Sequence, residues 1–388
     1  MAAALSKHYV AKWAASAVLG RLGRSPASLL LASMGVAAFL SMWISNVAAP
    51  VLVYSLLAPV LRTLPPRGVS RAGDHLGRAL ALGVALASNL GGMTSPISSP
   101  QNVFAIERMG HAAAAAGGGG AGPGWLEWFA VALPVAGCGV VACWGALLLA
   151  YPAARGASVR SLARQAGAPA QRFTGVQVYV VAVCAATVAL WCANASLEHE
   201  LGGMGVTATL PLVAFFGTGV LTKDDFNSML WTVVMLAQGG LALGAAVDSS
   251  GLLHSVASAA AAAAASAGLS PWGTLAALCA LVLVATTFVS HTVGAMVVLP
   301  IVESIGAAML PRPHAQLLVM GAALTCSGAM GLPVSGFPNM AAASLEAADG
   351  EAYLSPSDFI RVGVPCSVVA YLLIVTLGYR LMTSVNGW

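Results

Sequence analysis

The sequence predicts an all-α integral membrane protein made of two related halves, each with a re-entrant helical hairpin followed by a broken helix. Three observations carry that expectation. First, 59% of the 388 residues are hydrophobic and only 8% are charged, with mean hydropathy +0.85. A solvated surface needs roughly 25% charged residues, so 17 basic and 13 acidic side chains cannot coat a soluble protein of this size. Second, the apolar runs are continuous rather than alternating. That suits spanning helices of about 20 residues and excludes an outer-membrane barrel. Third, the polar interruptions of the first half recur in the second.

Residues 1–24 set Leu5, Tyr9, Val10, Trp13, Val18 and Leu19 among Lys7, Lys12, Arg21 and Arg24, the pattern of an amphipathic helix lying at a membrane surface or packed on a bundle. The run 27–63 is interrupted at SMWISNVAAP (41–50), and a re-entrant hairpin explains the break better than a kinked span. Irregular backbone at membrane depth is tolerated only inside protein or beside a wet cavity. Residues 78–108 form a broken helix, interrupted by Gly91-Gly92 and then by a Ser/Pro-rich stretch ending in Pro100-Gln101-Asn102. An Ala/Gly linker (110–124), a span (125–151), a basic loop (Arg155, Arg160, Arg164, Arg172) and spans near 175–193 and 204–221 follow. KDDF (223–226) leads into the apolar stretch 231–253. The Ala-rich 256–267 reads as a short helix, because Ala is the best helix former. A second hairpin is expected at 271–310, broken at TTFVSHTVGAM. A second broken helix follows at 315–347, interrupted at SGAMGLPVSGFPNM, and a last span runs from 359 to 382.

The echo fixes the organisation of a single membrane domain, 1–388. A partial first repeat covers 1–124, connecting helices and the basic loop cover 125–203, and the second repeat covers 204–388. Ser41-x-x-x-Ser45-Asn46-Val47 aligns with Thr286-x-x-x-Ser290-His291-Thr292, and Pro100-Gln101-Asn102 with Phe337-Pro338-Asn339. Paired interrupted helices at matching places point to a secondary transporter. The arginine asymmetry puts the 155–172 loop, Lys223 and Arg361 in the cytoplasm and Arg312 outside, so the hairpins enter from opposite sides.

At each tip the returning helix begins, and its free N–H groups and positive dipole end can hold an anion without a full charge. Unwound carbonyls can ligate a hard cation such as sodium. Asp248 and Glu303 read as interfacial or loop residues, and His254 and His314 as loop residues. The net charge of +4 is not arranged as a basic stripe, which excludes nucleic acid as a partner. The seven cysteines lie mostly in apolar stretches, without CxxC or zinc spacing, and read as small buried hydrophobes. An intramembrane enzyme would need a nucleophile–base pair, paired aspartates or HExxH. None lies on facing helical positions.

At these motifs the sequence resembles the divalent anion/sodium symporter family, on FLSMWISNVAAP, ASNLGGMTSPISSPQN, LWTVVMLAQGGLALGAAVDSSGL, FVSHTVGAMVVLPIV and SGFPN, which together span nearly the whole chain. SNLGGMTSPISSPQN with VSHTVGAM is similar to the low-affinity phosphate permeases of fungi and algae, which usually carry an N-terminal SPX domain. The resemblance implies an elevator-type carrier of the ion-transporter superfamily, in which both hairpins and the broken helices slide against a dimerising scaffold. It implies anion contacts at Ser45, Asn46, Val47, Ser99 and Pro100 from one half, and at Ser290, His291, Thr292 and Phe337 from the other. A first sodium site would use Ser41, Ser45, Asn46 and the backbone around Ser98; a second would use Thr286, Val289, His291 and Ser335. Val47 departs from the family's hydroxyl residue and His291 from its Asn, so a proton on His291 is a candidate substitute for the second sodium. The family's earlier scaffold helices and any SPX domain are missing, so the chain is expected to be truncated at its N-terminus.

The expectation is therefore a multi-pass symporter of the plasma or vacuolar membrane that moves inorganic phosphate with sodium, protons or both. It would use no resident cofactor and no transition metal, would contact membrane lipid, and would dimerise once the scaffold helices are supplied. A sulfate or dicarboxylate symporter is the alternative within transport. A non-transporting scaffold or fragment is the alternative outside it.

Overall fold

The computed structural model describes residues 1–10, 25–62, 64–65, 68–115, 122–157, 174–193, 204–229, 268–309, 312–347 and 350–385, with scattered positions between 231 and 266. Expectations for residues 11–24, Arg160, Arg164, Arg172, Asp248, His254 and most of 231–265 lie outside these described residues. Within them every regular element is helical, apart from one isolated bridge between Glu346 and Ala352.

The first half has α1 (Pro26–Trp43), α2 (Ala48–Leu61), α3 (Arg71–Gly92) and α4 (Pro100–Ala115). Two long helices follow, α5 (Trp125–Ala150) and α6 (Gly175–Cys192). The second half has α7 (Pro271–Phe288), α8 (His291–Ala307), α9 (Ala315–Gly328) and the short α10 (Phe337–Ala343). The chain closes with α11 (Pro356–Val385), which contains two π-type turns, Phe359–Gly363 and Ile374–Gly378. Five of these helices, α1, α5, α6, α7 and α11, are long and apolar enough to cross a membrane. Two sequence expectations change in detail. The stretch expected to be linker from residue 110 stays helical to Ala115, in keeping with its alanines. The span expected at 204–221 is two short helices, Met204–Thr207 and Thr209–Gly217.

The hairpin arms open identically. Ser25 caps α1 and Ser270 caps α7, each accepting a hydrogen bond from the backbone N–H three residues on, and a proline follows each cap. Proline at that position has its fixed φ suited to the helix and lacks an N–H that would be orphaned anyway. From these caps to the tips the two hairpins run in one register, with no insertion between them.

The core lies along α3 and α9. Every residue of α3 from Ala79 to Gly92 is buried, and so are thirteen of the fourteen residues of α9, all but Gln316. Each is held by its own hairpin, α3 by α1 and α9 by α7 and α8. The halves are also interlocked crosswise: α4 packs on α8 and α9, while α10 packs on α3. The α1–α3 crossing is close because residue 91 is glycine. A Cβ there would stand 2.3 Å from the Ala38 carbonyl oxygen and 2.5 Å from its Cα. Gly91→Ala is expected to separate the helices and destabilise the protein by about 1–3 kcal/mol or more, read as a lowered melting temperature in detergent; an unchanged melting temperature would refute the tight crossing.

The N-terminal residues 1–10 rest on the middle of the chain. Ala4 joins Val180, Cys184, Phe215 and Leu221 in a second small core. Lys7 pairs with Asp225, and that bond holds the Asp225 carboxyl down to about 2.

Candidate anion and cation site

The site is built where each hairpin tip meets the break of its own half. In the first half, Ser45 ends the break between α1 and α2, and its Oγ accepts from the N–H groups of Val47 and Ala48, both at 3.2 Å. The Asn46 N–H donates to the Ser98 carbonyl at 3.3 Å. Ser41 donates to the Ser88 carbonyl at 2.7 Å, which ties the outgoing arm to α3. In the second half, Ser290 caps α8 by accepting from the Val293 N–H at 3.4 Å. Thr286, at the position matching Ser41, turns inward to donate to the Val282 carbonyl at 2.6 Å. Both returning helices thus begin at serine-capped tips.

The breaks are held open by two asparagines that occupy matching places. Asn102 Nδ2 donates to the carbonyls of Gly92 (2.9 Å) and Ser95 (2.8 Å). Asn339 Nδ2 donates to those of Met330 (3.2 Å) and Leu332 (2.8 Å). Each amide supplies the donors that an unwound segment of helix has lost. Serines then fasten the breaks to the tips. Ser95 donates to the Met42 carbonyl and Ser335 to the Thr287 carbonyl, both at 2.7 Å, and Met42 and Thr287 are themselves matching residues. Ser98 and Ser99 both donate to the Gly92 carbonyl, at 2.6 and 2.7 Å.

Several side chains join the halves, among them Arg78 to Asp358, Gln316 to the Met109 carbonyl and Tyr353 to the Leu61 carbonyl. Gln101 donates to Ser327 at 2.9 Å and accepts from Thr292 at 3.4 Å. Asn89 donates to Asn339 Oδ1 at 2.8 Å. Away from the tips, Arg108 on α4 pairs with Glu303 on α8, with side chains only 14% and 12% exposed. Glu303, expected to be interfacial or in a loop, therefore lies within a helix and in a largely buried ion pair. Asn89 and Arg108 were not singled out by the sequence, and Gln101 entered only as part of the Pro100-Gln101-Asn102 motif; the polar identity of Asn89 inside an apolar helix was the available signal.

The expected residues divide by burial. Ser41, Asn46, Ser98, Ser99, Thr286, His291, Thr292 and Ser335 are buried; Ser45, Val47, Pro100 and Ser290 are half-buried; Val289 and Phe337 are exposed. No charged side chain lies in 26–61, 89–102 or 327–340. An anion at these tips would meet only N–H groups, hydroxyls, amides and helix dipoles, in a setting where little water screens them. Five buried polar atoms here lack a hydrogen-bond partner: Oδ1 of Asn46, Asn89 and Asn102, Oγ of Ser88, and Nδ1 of His291.

Interrupted helices converging at mid-chain breaks, within a set of long apolar helices, are the architecture of a membrane transport protein. The chain belongs to the citrate transporter family, whose model matches residues 1–266 and 200–386. It is 40% identical to the inorganic phosphate transporter PHO87 of Saccharomyces cerevisiae over 98% of this chain and 39% of the yeast protein. It is 42% identical to the low-affinity phosphate transporter PHO90 of the same yeast, over 95% of this chain and 39% of that protein. The sodium-dependent low-affinity dicarboxylate transporter 1 of Caenorhabditis elegans is 23% identical over 95% of this chain and 72% of its own length. The chain thus spans about two fifths of the yeast relatives it matches. It is an integral membrane protein of a transporter family, not an enzyme.

Proposed function

We propose that the chain carries inorganic phosphate across a membrane, coupled to sodium, protons or both, with the anion held between the tips at 45–47 and 290–292. The observation that carries this reading is the pair of serine-capped helix N-termini set against two asparagine-held breaks, with no charged side chain in the site. Phosphate is the anion of choice because the yeast relatives at 40% and 42% identity are phosphate transporters by name. Sodium as a co-ion is supported by the orphaned amide oxygens and by the sodium-dependent nematode relative. The crosswise packing of α4 on α8 and α9, and of α10 on α3, supports the two hairpins and two broken helices moving as one body.

The test is uptake of radiolabelled phosphate into proteoliposomes of the purified chain, with inward sodium or proton gradients and with unlabelled sulfate or dicarboxylate as competitor. Gradient-driven phosphate uptake that neither competitor suppresses is the expected result. Uptake of labelled sulfate or dicarboxylate in preference to phosphate would transfer the substrate assignment. Absence of all three would leave a non-transporting fragment.

A further inference from the structure

The two hairpins match in register, yet the atoms beneath their tips differ in kind. Beneath the first, the orphaned atoms include two amide oxygens, those of Asn46 and Asn102, and the hydroxyl of Ser88, whose carbonyl holds Ser41. Both asparagine side chains meet Gly92: a Cβ on that glycine would be 2.9 Å from Asn46 Cβ, and Asn102 Nδ2 lies 2.9 Å from the Gly92 carbonyl. The orientation of the Asn102 amide follows from its neighbours, because two carbonyls claim its nitrogen and leave the oxygen without a donor. Buried oxygens of this kind, beside unwound backbone, fit an alkali cation.

Beneath the second tip the residue matching Asn46 is His291. Its Nε2 lies 2.6 Å from the Ala329 carbonyl oxygen, so that nitrogen carries a hydrogen. Ala329 precedes Asn339 by the same interval as Gly92 precedes Asn102. In the first half that carbonyl is served from within the break; in the second it is served by the tip's imidazole. The ring also fills the space. A Cβ on Gly336 would stand 2.6 Å from His291 Cε1 and 2.9 Å from Nδ1. Asn89 Oδ1, 3.3 Å from the same point, is the orphaned amide oxygen on this side, and one oxygen does not make a cation site.

We propose that the tips are unequal: the first takes a sodium ion, and the second takes none, because the His291 ring and its N–H stand where a second ion would be held. This rests on the cation-coupled phosphate reading above. Linkage makes it countable, since the slope of log Kd for phosphate against log sodium concentration equals the number of sodium ions taken up with the anion. Binding of labelled phosphate to the purified protein, with choline holding ionic strength constant, is expected to tighten about tenfold per tenfold rise in sodium. His291→Asn is expected to steepen this to about a hundredfold. A slope of two or of zero in the unaltered chain overturns the proposal, as does a slope of one in His291→Asn. Sodium-dependent melting, measured without phosphate, reads the tips independently of the substrate. A rise with log sodium that is steeper in His291→Asn and lost in Asn46→Ala supports the proposal; equal rises in the unaltered chain and His291→Asn overturn it. If phosphate does not bind at all, the functional reading falls while the melting series still judges the tips.

Discussion

Asn46→Ala is expected to abolish phosphate uptake. Asn46 is 4% exposed, its backbone N–H is engaged by Ser98, and its Oδ1 is one of the orphaned atoms beneath the first tip. Losing a hydrogen bond to a charged partner costs about 1.5–3 kcal/mol, and the same substitution removes an oxygen proposed to hold the co-ion. The two losses compound, because anion and cation stabilise each other's binding across the tip. Fold and insertion should survive, since the backbone bond to Ser98 and the serine cap at residue 45 remain. The measurement is initial uptake normalised to protein recovered in the vesicles. Near-normal uptake would remove the site from the tips.

Glu303→Ala, leaving Arg108 without its carboxylate, is expected to be strongly destabilising although it lies outside the tips. The pair lies between α4 and α8 with both side chains mostly buried, and removing one partner strands a charge at a cost of about 3–5 kcal/mol. The double replacement Arg108→Met with Glu303→Met should recover most of that loss, because an apolar pair of similar volume needs no compensating charge. Melting in detergent and phosphate uptake should fall together in the single variant and recover together in the double. If the double variant is no better than the single, the role of the pair is something other than mutual neutralisation.

The hairpins were legible because their signals are local. An apolar run broken at a polar tip can be read within a short stretch of chain, and the pattern recurs in the second half. The asparagines at 102 and 339 stood out as a repeated motif, but what their amides hold did not, because the acceptors are backbone carbonyls that carry no sequence identity. The partners of Asn89, Gln101 and Arg108 lie 250, 226 and 195 residues away. Pairing at that distance leaves no periodicity to detect. His291 was conspicuous as a departure from the resembling family's pattern, yet its direction, down onto Ala329 and Gly336, depends on the backbone of the second break.

The exchange of α4 and α10 between the halves bears on how the chain is made. As synthesis proceeds, α3 and the two arms before it can assemble as soon as they emerge, but beyond the Asn102 bonds at its start the principal packing of α4 waits for α8 and α9. The Arg108–Glu303 contact waits for 195 further residues. Contacts so distant in sequence pay their loop-closure entropy before any packing rewards it, which slows assembly and leaves intermediates open to misassociation. During that interval α4 exposes an unpaired arginine and a polar stripe to lipid or to the insertion machinery. The first half made alone should therefore be a target for quality control rather than a stable half-carrier.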